Sequence, residues 1–308
     1  MKKSLVLILA AALAACVPVK PTMPPGHGPP PPDTPVPIPS GARLAFISDR
    51  DGFKGHMSLC LLDLETQEIL IAASAFDAAY PKWSPDGSRI LFIRTDDGTL
   101  NIFSAEGSHS PYARGIRVNF ADWSPEGSRI VFESDYQDEQ RFTPDIYIIG
   151  SELKDPVKLP VDTHVINYNP LWLGEKILFL SKRAGTTEIR MMNVDGSEVM
   201  RVMELPGEVF HAAVSPDGER LAYTARQSDG SLELFVVHLG GALDTLIRLT
   251  EDGADDDGAA WSTDGREIYF FSNRSGNYDL WRINADGTDP VQLTDDAYYD
   301  AFPDYWSE

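Results

Sequence analysis

The chain has 308 residues, 43% of them hydrophobic and 24% charged, a balance ordinary for a globular protein. Its formal charge of −21 is not ordinary and weighs against nucleic acid or an anionic membrane surface as partner, favouring basic proteins and cations. Two cysteines, Cys16 and Cys60, exclude a disulfide framework.

The chain opens with an export signal. Lys2 and Lys3 precede the apolar run Leu5 to Ala15, which is too short to span a bilayer as a helix. The run ends Leu13-Ala14-Ala15-Cys16. That ending resembles the lipobox of bacterial lipoproteins, which implies lipidation of Cys16. Val17 after the cysteine implies sorting to the outer membrane. Residues 17–41 follow as a tether, with Pro29-Pro30-Pro31-Pro32 at its centre. Proline cannot donate to a ladder and favours extended geometry, so at ~3.1 Å per residue this segment reaches about 75 Å.

From residue 42 to the end the pattern has a period of two. Second strands of a repeated unit read Arg43-Leu-Ala-Phe-Ile-Ser48, Arg89-Ile-Leu-Phe-Ile-Arg94, Arg129-Ile-Val-Phe-Glu-Ser134, Lys176-Ile-Leu-Phe-Leu-Ser181, Arg220-Leu-Ala-Tyr-Thr-Ala225 and Glu267-Ile-Tyr-Phe-Phe-Ser272. Third strands begin near Ser58, Asn101, Asp145, Glu188, Glu233 and Asp279. Both sets are rich in β-branched and aromatic residues and bounded by turn residues. Cys60 falls in a third strand and reads as a small apolar filler. Turns such as Ser84-Pro85-Asp86-Gly87 have a mechanism: Pro presets φ, Asp bonds back to nearby backbone, and Gly accepts a positive φ. The twelve-residue calcium-loop pattern is absent from the Asp-Gly turns, so they read as plain hairpins.

Units start at Trp83, Trp123, Trp172, Val214, Trp261 and Trp306, which lie 40 to 49 residues apart. A period of that length with about four strands per unit predicts a propeller. The last start has no strands after it, and the first strand set has no start before it. We therefore expect an all-β fold: a six-bladed β-propeller of four-stranded antiparallel blades, with the ring closed by the C-terminal strand.

Pro81-Lys82-Trp83-Ser84-Pro85-Asp86-Gly87 and Ser272-Asn273-Arg274-Ser275-Gly276-Asn277-Tyr278-Asp279-Leu280-Trp281 resemble the TolB-type WD-like propeller repeat. The resemblance covers about residues 43 to 308. It specifies fold more than function, because the repeat occurs in binding proteins, in oligopeptidase propellers and in sugar lyases. The chain departs from TolB in having a lipobox and in lacking the preceding α/β domain, which puts a direct role in the Tol-Pal system in doubt.

Chemistry is sparse. Gly-x-Ser-x-Gly, His-Glu-x-x-His and paired-Cys motifs are absent. His211 and Asn169 stand three residues before unit starts, where inner strands approach the channel, and a lyase would use such a His with a metal. Acidic runs precede two other starts: Asp255, Asp256 and Asp257 before Trp261, and Asp295, Asp296 and Asp300, with Tyr298, before Trp306. Tyr80 holds a comparable place before Trp83. Uncompensated carboxylates at that density are expected at the channel mouth, where they favour a cation or a basic segment. The reading is a non-catalytic, lipid-anchored envelope protein with no cofactor, facing the periplasm from the outer membrane. Its expected partner is a basic or polar envelope protein or peptide, or a small ligand. A bound cation such as calcium, a carbohydrate lyase and a structural assembly subunit stay open as alternatives.

Overall fold

The computed structural model describes residue 38 and residues 41–52, 56–74, 77–104, 117–134, 144–162, 164–183, 185–241 and 243–308. The expected signal, Cys16 and nearly all of the tether lie outside the described residues. Among the described residues, no helix is long and apolar enough to cross a membrane.

The chain forms six antiparallel sheets in sequence order. Blade I takes β1 (Arg43–Ser48), β2 (Ser58–Asp63) and β3 (Ile69–Ala73). Blade II takes β4 (Ala78–Trp83), β5 (Arg89–Arg94) and β6 (Thr99–Ser104); the place of its fourth strand falls outside the described residues. Blade III takes β7 (Val118–Trp123), β8 (Arg129–Ser134), β9 (Asp145–Gly150) and β10 (Val157–Lys158). Blade IV takes β11 (Ile166–Leu173), β12 (Lys176–Arg183), β13 (Thr186–Asn193) and β14 (Met200–Leu205). Blade V takes β15 (Glu208–Val214), β16 (Arg220–Arg226), β17 (Leu232–His238) and β18 (Ile247–Arg248). Blade VI takes β19 (Asp256–Trp261), β20 (Glu267–Ser272), β21 (Asp279–Asn284) and β22 (Val291–Gln292). The last strand, β23 (Asp300–Trp306), returns to blade I and pairs antiparallel with β1, setting Arg43 opposite Trp306 and Ser48 opposite Asp300. Inner strands contact their neighbours all the way round, β23 against β4 and β19 against β23 included, so the ring is closed as expected.

Burial explains the sequence pattern. A second strand is flanked by strands on both edges and by neighbouring blades on both faces. Its middle therefore reads as a continuous apolar run: Leu44 to Ile47, Ile90 to Ile93 and Ile268 to Phe271 are all buried. Outer strands β10, β18 and β22 are two residues each, with Val157, Ile247 and Val291 exposed. Such short edges give another chain little to pair with. Cys60 is fully buried in blade I, as a small filler should be.

One device joins blades on the face of the Ser-Pro-Asp-Gly turns. The Arg at the head of a second strand stacks on the Trp of the next blade. Arg43 lies 4.7 Å from the Trp83 ring, Arg89 4.7 Å from Trp123, and Arg220 4.6 Å from Trp261. The same guanidinium donates to the next blade's turn glycine: Arg43 to Gly87 O at 2.9 Å, Arg89 to Gly127 O at 3.0 Å and Arg220 to Gly265 O at 2.8 Å. Gly87 has φ of 66°, and a Cβ there would stand 2.3 Å from Trp306. Only glycine satisfies both the turn and that ring. The repeat signature is thus a list of inter-blade contacts.

Candidate functional site at the channel mouth

Each inner strand is interrupted by a bulge two to four residues before its end. Pairing shifts between Ala79 and Lys82, Val118 and Phe120, Tyr168 and Leu171, Val209 and Ala212, and Asp257 and Ala260. β23 shifts in the same way between Ala301 and Asp304. Tyr80, Asn169 and Phe302 take left-handed φ values of 49°, 49° and 51° there, and Gly258 takes 71°. A bulge re-aims a side chain, and these aim into the ring.

The result is a plug. Tyr80 packs on Phe302 at 4.5 Å, His211 at 5.5 Å and Phe120 at 6.0 Å between ring centroids. His211 meets Phe302 at 5.6 Å. The free space among these residues is about 20 Å³, room for roughly one water.

His211 is held by a carboxylate. Its Nδ1 lies 2.7 and 2.9 Å from the two Asp257 oxygens, and the Gly258 amide donates to Asp257 at 2.7 Å. Burial alone would lower the His211 pKa, but Asp257 raises it above the usual value. Burial opposes ionisation of Asp257, yet His211 holds it below the carboxylate range. Each group thus favours the charged form of the other. The pair's contribution is complete below the unfolded histidine value, near 6.5, and fades as pH rises through the raised folded value. It also fades in acid as Asp257 protonates. Replacing His211 by Gln strands a buried carboxylate, an expected loss of about 3 kcal/mol at pH 6. The gap from wild type should narrow as pH rises toward 9, as read from melting curves across that range.

Asn169 ties three blades. Its amide donates to Glu133 Oε2 of blade III at 2.5 Å, and its side-chain oxygen accepts from Ala212 N of blade V at 2.7 Å. On the same wall, Lys82 donates to Asp304 at 2.8 Å, Asp304 accepts from Trp83 N at 2.8 Å, and Asp122 accepts from Trp172 N at 2.9 Å. Burial pushes Asp122 up to about 6 against the pull of Lys82.

The acidic runs are largely compensated, which corrects the expectation of uncompensated carboxylates. Asp300 is fully buried, and both its oxygens take Arg50 Nη2 at 2.7 Å; Asp296 takes Arg50 Nη1 at 3.1 Å. Asp256 is fully buried and takes Arg274 at 2.7 Å. Asp255 accepts from Leu232 N at 3.1 Å and the Tyr278 hydroxyl at 3.2 Å. Asp257 is engaged by His211. Asp295 is exposed, and Tyr298 is half-buried with Arg50 5.2 Å from its ring. The ten expected residues thus divide between the plug and its wall (Tyr80, Asn169, His211, Asp257) and the blade seams of the mouth (Asp255, Asp256, Asp295, Asp296, Tyr298, Asp300). Sequence reasoning missed Arg50, Arg274, Glu133, Lys82, Phe120 and Phe302. The signal for the two arginines was present in Ser48-Asp49-Arg50 and Ser272-Asn273-Arg274.

Residues 201–307 match the sequence profile of the TolB beta propeller domain. Over that stretch, from β14 to the closing strand β23, the chain is similar to the TolB-type propeller. Among curated sequences, an uncharacterised protein of Agrobacterium fabrum is 26% identical over 83% of this chain and 72% of its own length. A TolB homologue of Chlorobium luteolum is 24% identical over 85% of this chain. This chain spans 59% of that homologue's own length. Among solved structures, TolB from Acinetobacter baumannii superposes with a TM-score of 0.74 at 17% identity, over 87% of this chain and 67% of its own. At that identity the superposition shows the fold alone.

Proposed function

We propose that this TolB-type propeller is a non-catalytic binding protein of the bacterial cell envelope, and that it holds a basic or polar protein segment at its channel mouth. The aromatic plug carries the reading. With about 20 Å³ free among Tyr80, Phe120, His211 and Phe302, a ligand has little room at the plug and meets the rim beside it. That rim exposes Glu251, Asp252 and Asp295, with Asp296 and Tyr298 half-buried beside them. Carboxylates beside an aromatic ring supply both the charge and the apolar contact that anchor a basic peptide. The likeness to TolB homologues supports an envelope setting. In this reading Cys16 carries the lipid anchor and residues 17–41 hold the ring away from the outer membrane, facing the periplasm. The same lack of room counts against a sugar ring seated at His211 within the plug.

The test is capture from an envelope extract by the soluble domain, residues 42–308. A specific partner should be retained at low salt and released as ionic strength rises, because exposed charges are screened. Retention that ignores salt would place the contact on another surface.

A further inference from the structure

Blades V and VI meet at a group of carboxylates whose counterpart between blades VI and I is built differently. Oxygens of Glu233 at the start of β17, Asp252 in the loop before β19, and Asp256 at the head of β19 all lie within 4.8 Å of one another. Glu233 and Asp256 are completely buried, while Asp252 reaches solvent. Glu233 Oε1 accepts from Ser231 Oγ at 3.3 Å and Gly253 N at 3.4 Å, and lies 3.4 Å from Arg248. Asp256 Oδ2 takes Arg274 at 2.7 Å, and Asp252 takes the same nitrogen at 3.0 Å. The second oxygens, Glu233 Oε2 and Asp256 Oδ1, have no donor.

Two orphan carboxylate oxygens inside a protein are costly, because burial removes water and nothing replaces it. No donor, the nearby hydroxyls of Ser272 and Thr250 included, meets Asp256 Oδ1 with hydrogen-bond geometry. Nor is the charge balanced. Glu233, Glu251, Asp252, Asp255 and Asp256 share this seam with two guanidiniums, Arg248 and Arg274.

The next seam is an internal control. There Asp279, Asp296, Asp300, Arg50 and Gln292 occupy the places of Glu233, Asp252, Asp256, Arg274 and Arg248. Asp279 is one methylene shorter, and both its oxygens are met: Oδ1 by Asn277 at 3.3 Å, Oδ2 by Ser275 and by Gln292 at 2.9 Å. Both Asp300 oxygens take Arg50. The same fold therefore closes this arrangement with protein donors in one seam and leaves two oxygens free in the other.

We propose that Glu233, Asp252 and Asp256 form a calcium site that pins the loop before β19 to blade V. The donor set is all oxygen and the spacing is wide. Calcium binds oxygen at about 2.3–2.6 Å, so ligands across the ion stand up to ~5 Å apart; magnesium, at about 2.1 Å, needs them nearer 4.2 Å. Calcium meets the two orphan oxygens and offsets the surplus charge. It also fixes the strand that presents Asp257 to His211. The site shares Asp252 with the rim proposed to meet a partner, but its test uses no partner.

The full chain, stripped with a chelator, is titrated with calcium chloride and with magnesium chloride by calorimetry, and its melting is followed in each. One calcium per chain should bind, with a melting midpoint that climbs with calcium and magnesium at least tenfold weaker. Glu233→Gln and Asp252→Asn should each weaken calcium at least tenfold. The solvent-facing Asp252→Asn keeps the test valid if Glu233→Gln misfolds. Asp296→Asn, in the control seam, should leave calcium affinity unchanged. The proposal is overturned by wild-type protein that neither binds calcium nor melts later at up to about 10 mM, the weak end of calcium modules. It is equally overturned if Asp252→Asn binds as wild type does, or if Asp296→Asn loses as much affinity.

Discussion

Deleting residues 300–308 should abolish cooperative folding. That segment is the inner strand of blade I, and its removal bares the whole edge of β1 from Arg43 to Ser48. It also removes buried Ala301 and Phe302, the Tyr305 ring stacked 4.8 Å from Tyr269, and the Trp306 ring 4.2 Å from Arg43. Each large apolar side chain contributes about 2 kcal/mol or more through burial, and a lost strand adds its ladder. Such losses approach the ~5–15 kcal/mol that holds a typical domain together. A milder probe is Phe302→Ala. Phe302 touches Tyr80, His211 and Phe271, so its truncation should cost about 3–5 kcal/mol while unfolding stays cooperative. Chemical denaturation of both variants checks this. A truncated ring that melts like the intact one would mean that blade I needs no strand from the C-terminus.

Replacing Arg50 by Ala should destabilise the ring by about 3–5 kcal/mol at neutral pH, the usual result of leaving a buried carboxylate without its partner. Arg50 is the shared donor to Asp300 and Asp296, and its guanidinium lies 5.4 Å from the Phe46 ring. Burial already sets Asp300 above the usual carboxylate range, with Arg50 pulling it down. Without Arg50 the folded value rises further, whereas the unfolded carboxyl stays near 3.9. A raised folded value means that stability falls as pH climbs from the unfolded value through the folded one. The deficit relative to wild type should therefore be largest near pH 7.5 and shrink toward pH 4.5. Arg50→Lys keeps the charge but loses the fork, so its loss should be smaller. Urea unfolding at the two pH values reads the effect; an equal deficit at both would assign it to lost packing and not to Asp300.

The fold was legible because the repeat spells out its contacts. Trp83, Trp123 and Trp261 mark strand ends, and they are the rings on which Arg43, Arg89 and Arg220 stack. An orphan start at Trp306 facing an orphan strand at Arg43 forces closure. The mouth was legible only in part. Position relative to the unit start placed Tyr80, Asn169 and His211 in the ring, because the bulge recurs at a fixed offset. Asp256 and Asp300, taken with their neighbours as an acidic surface, turn out to be buried. Their partners Arg274 and Arg50 sit 18 and 250 residues away, and a run of carboxylates does not disclose what the next strand brings to it. The plug was hidden for a related reason: Phe120 and Phe302 read as ordinary strand hydrophobics until the bulge turns them inward.

If the proposed function holds, a partner meets the exposed rim of the mouth. Once a partner has been captured from envelope extract, its calorimetric titration into wild-type protein and into Asp295→Asn/Tyr298→Ala tests this most directly. Asp295 and Tyr298 are the right pair because, unlike Asp256 and Asp300, neither is fully buried against an arginine. The variant should bind at least tenfold more weakly with an unchanged melting curve, and wild-type affinity should fall with salt. Equal affinity of both proteins, with equal melting, would contradict the proposed function and leave the acidic rim as a device for solubility alone.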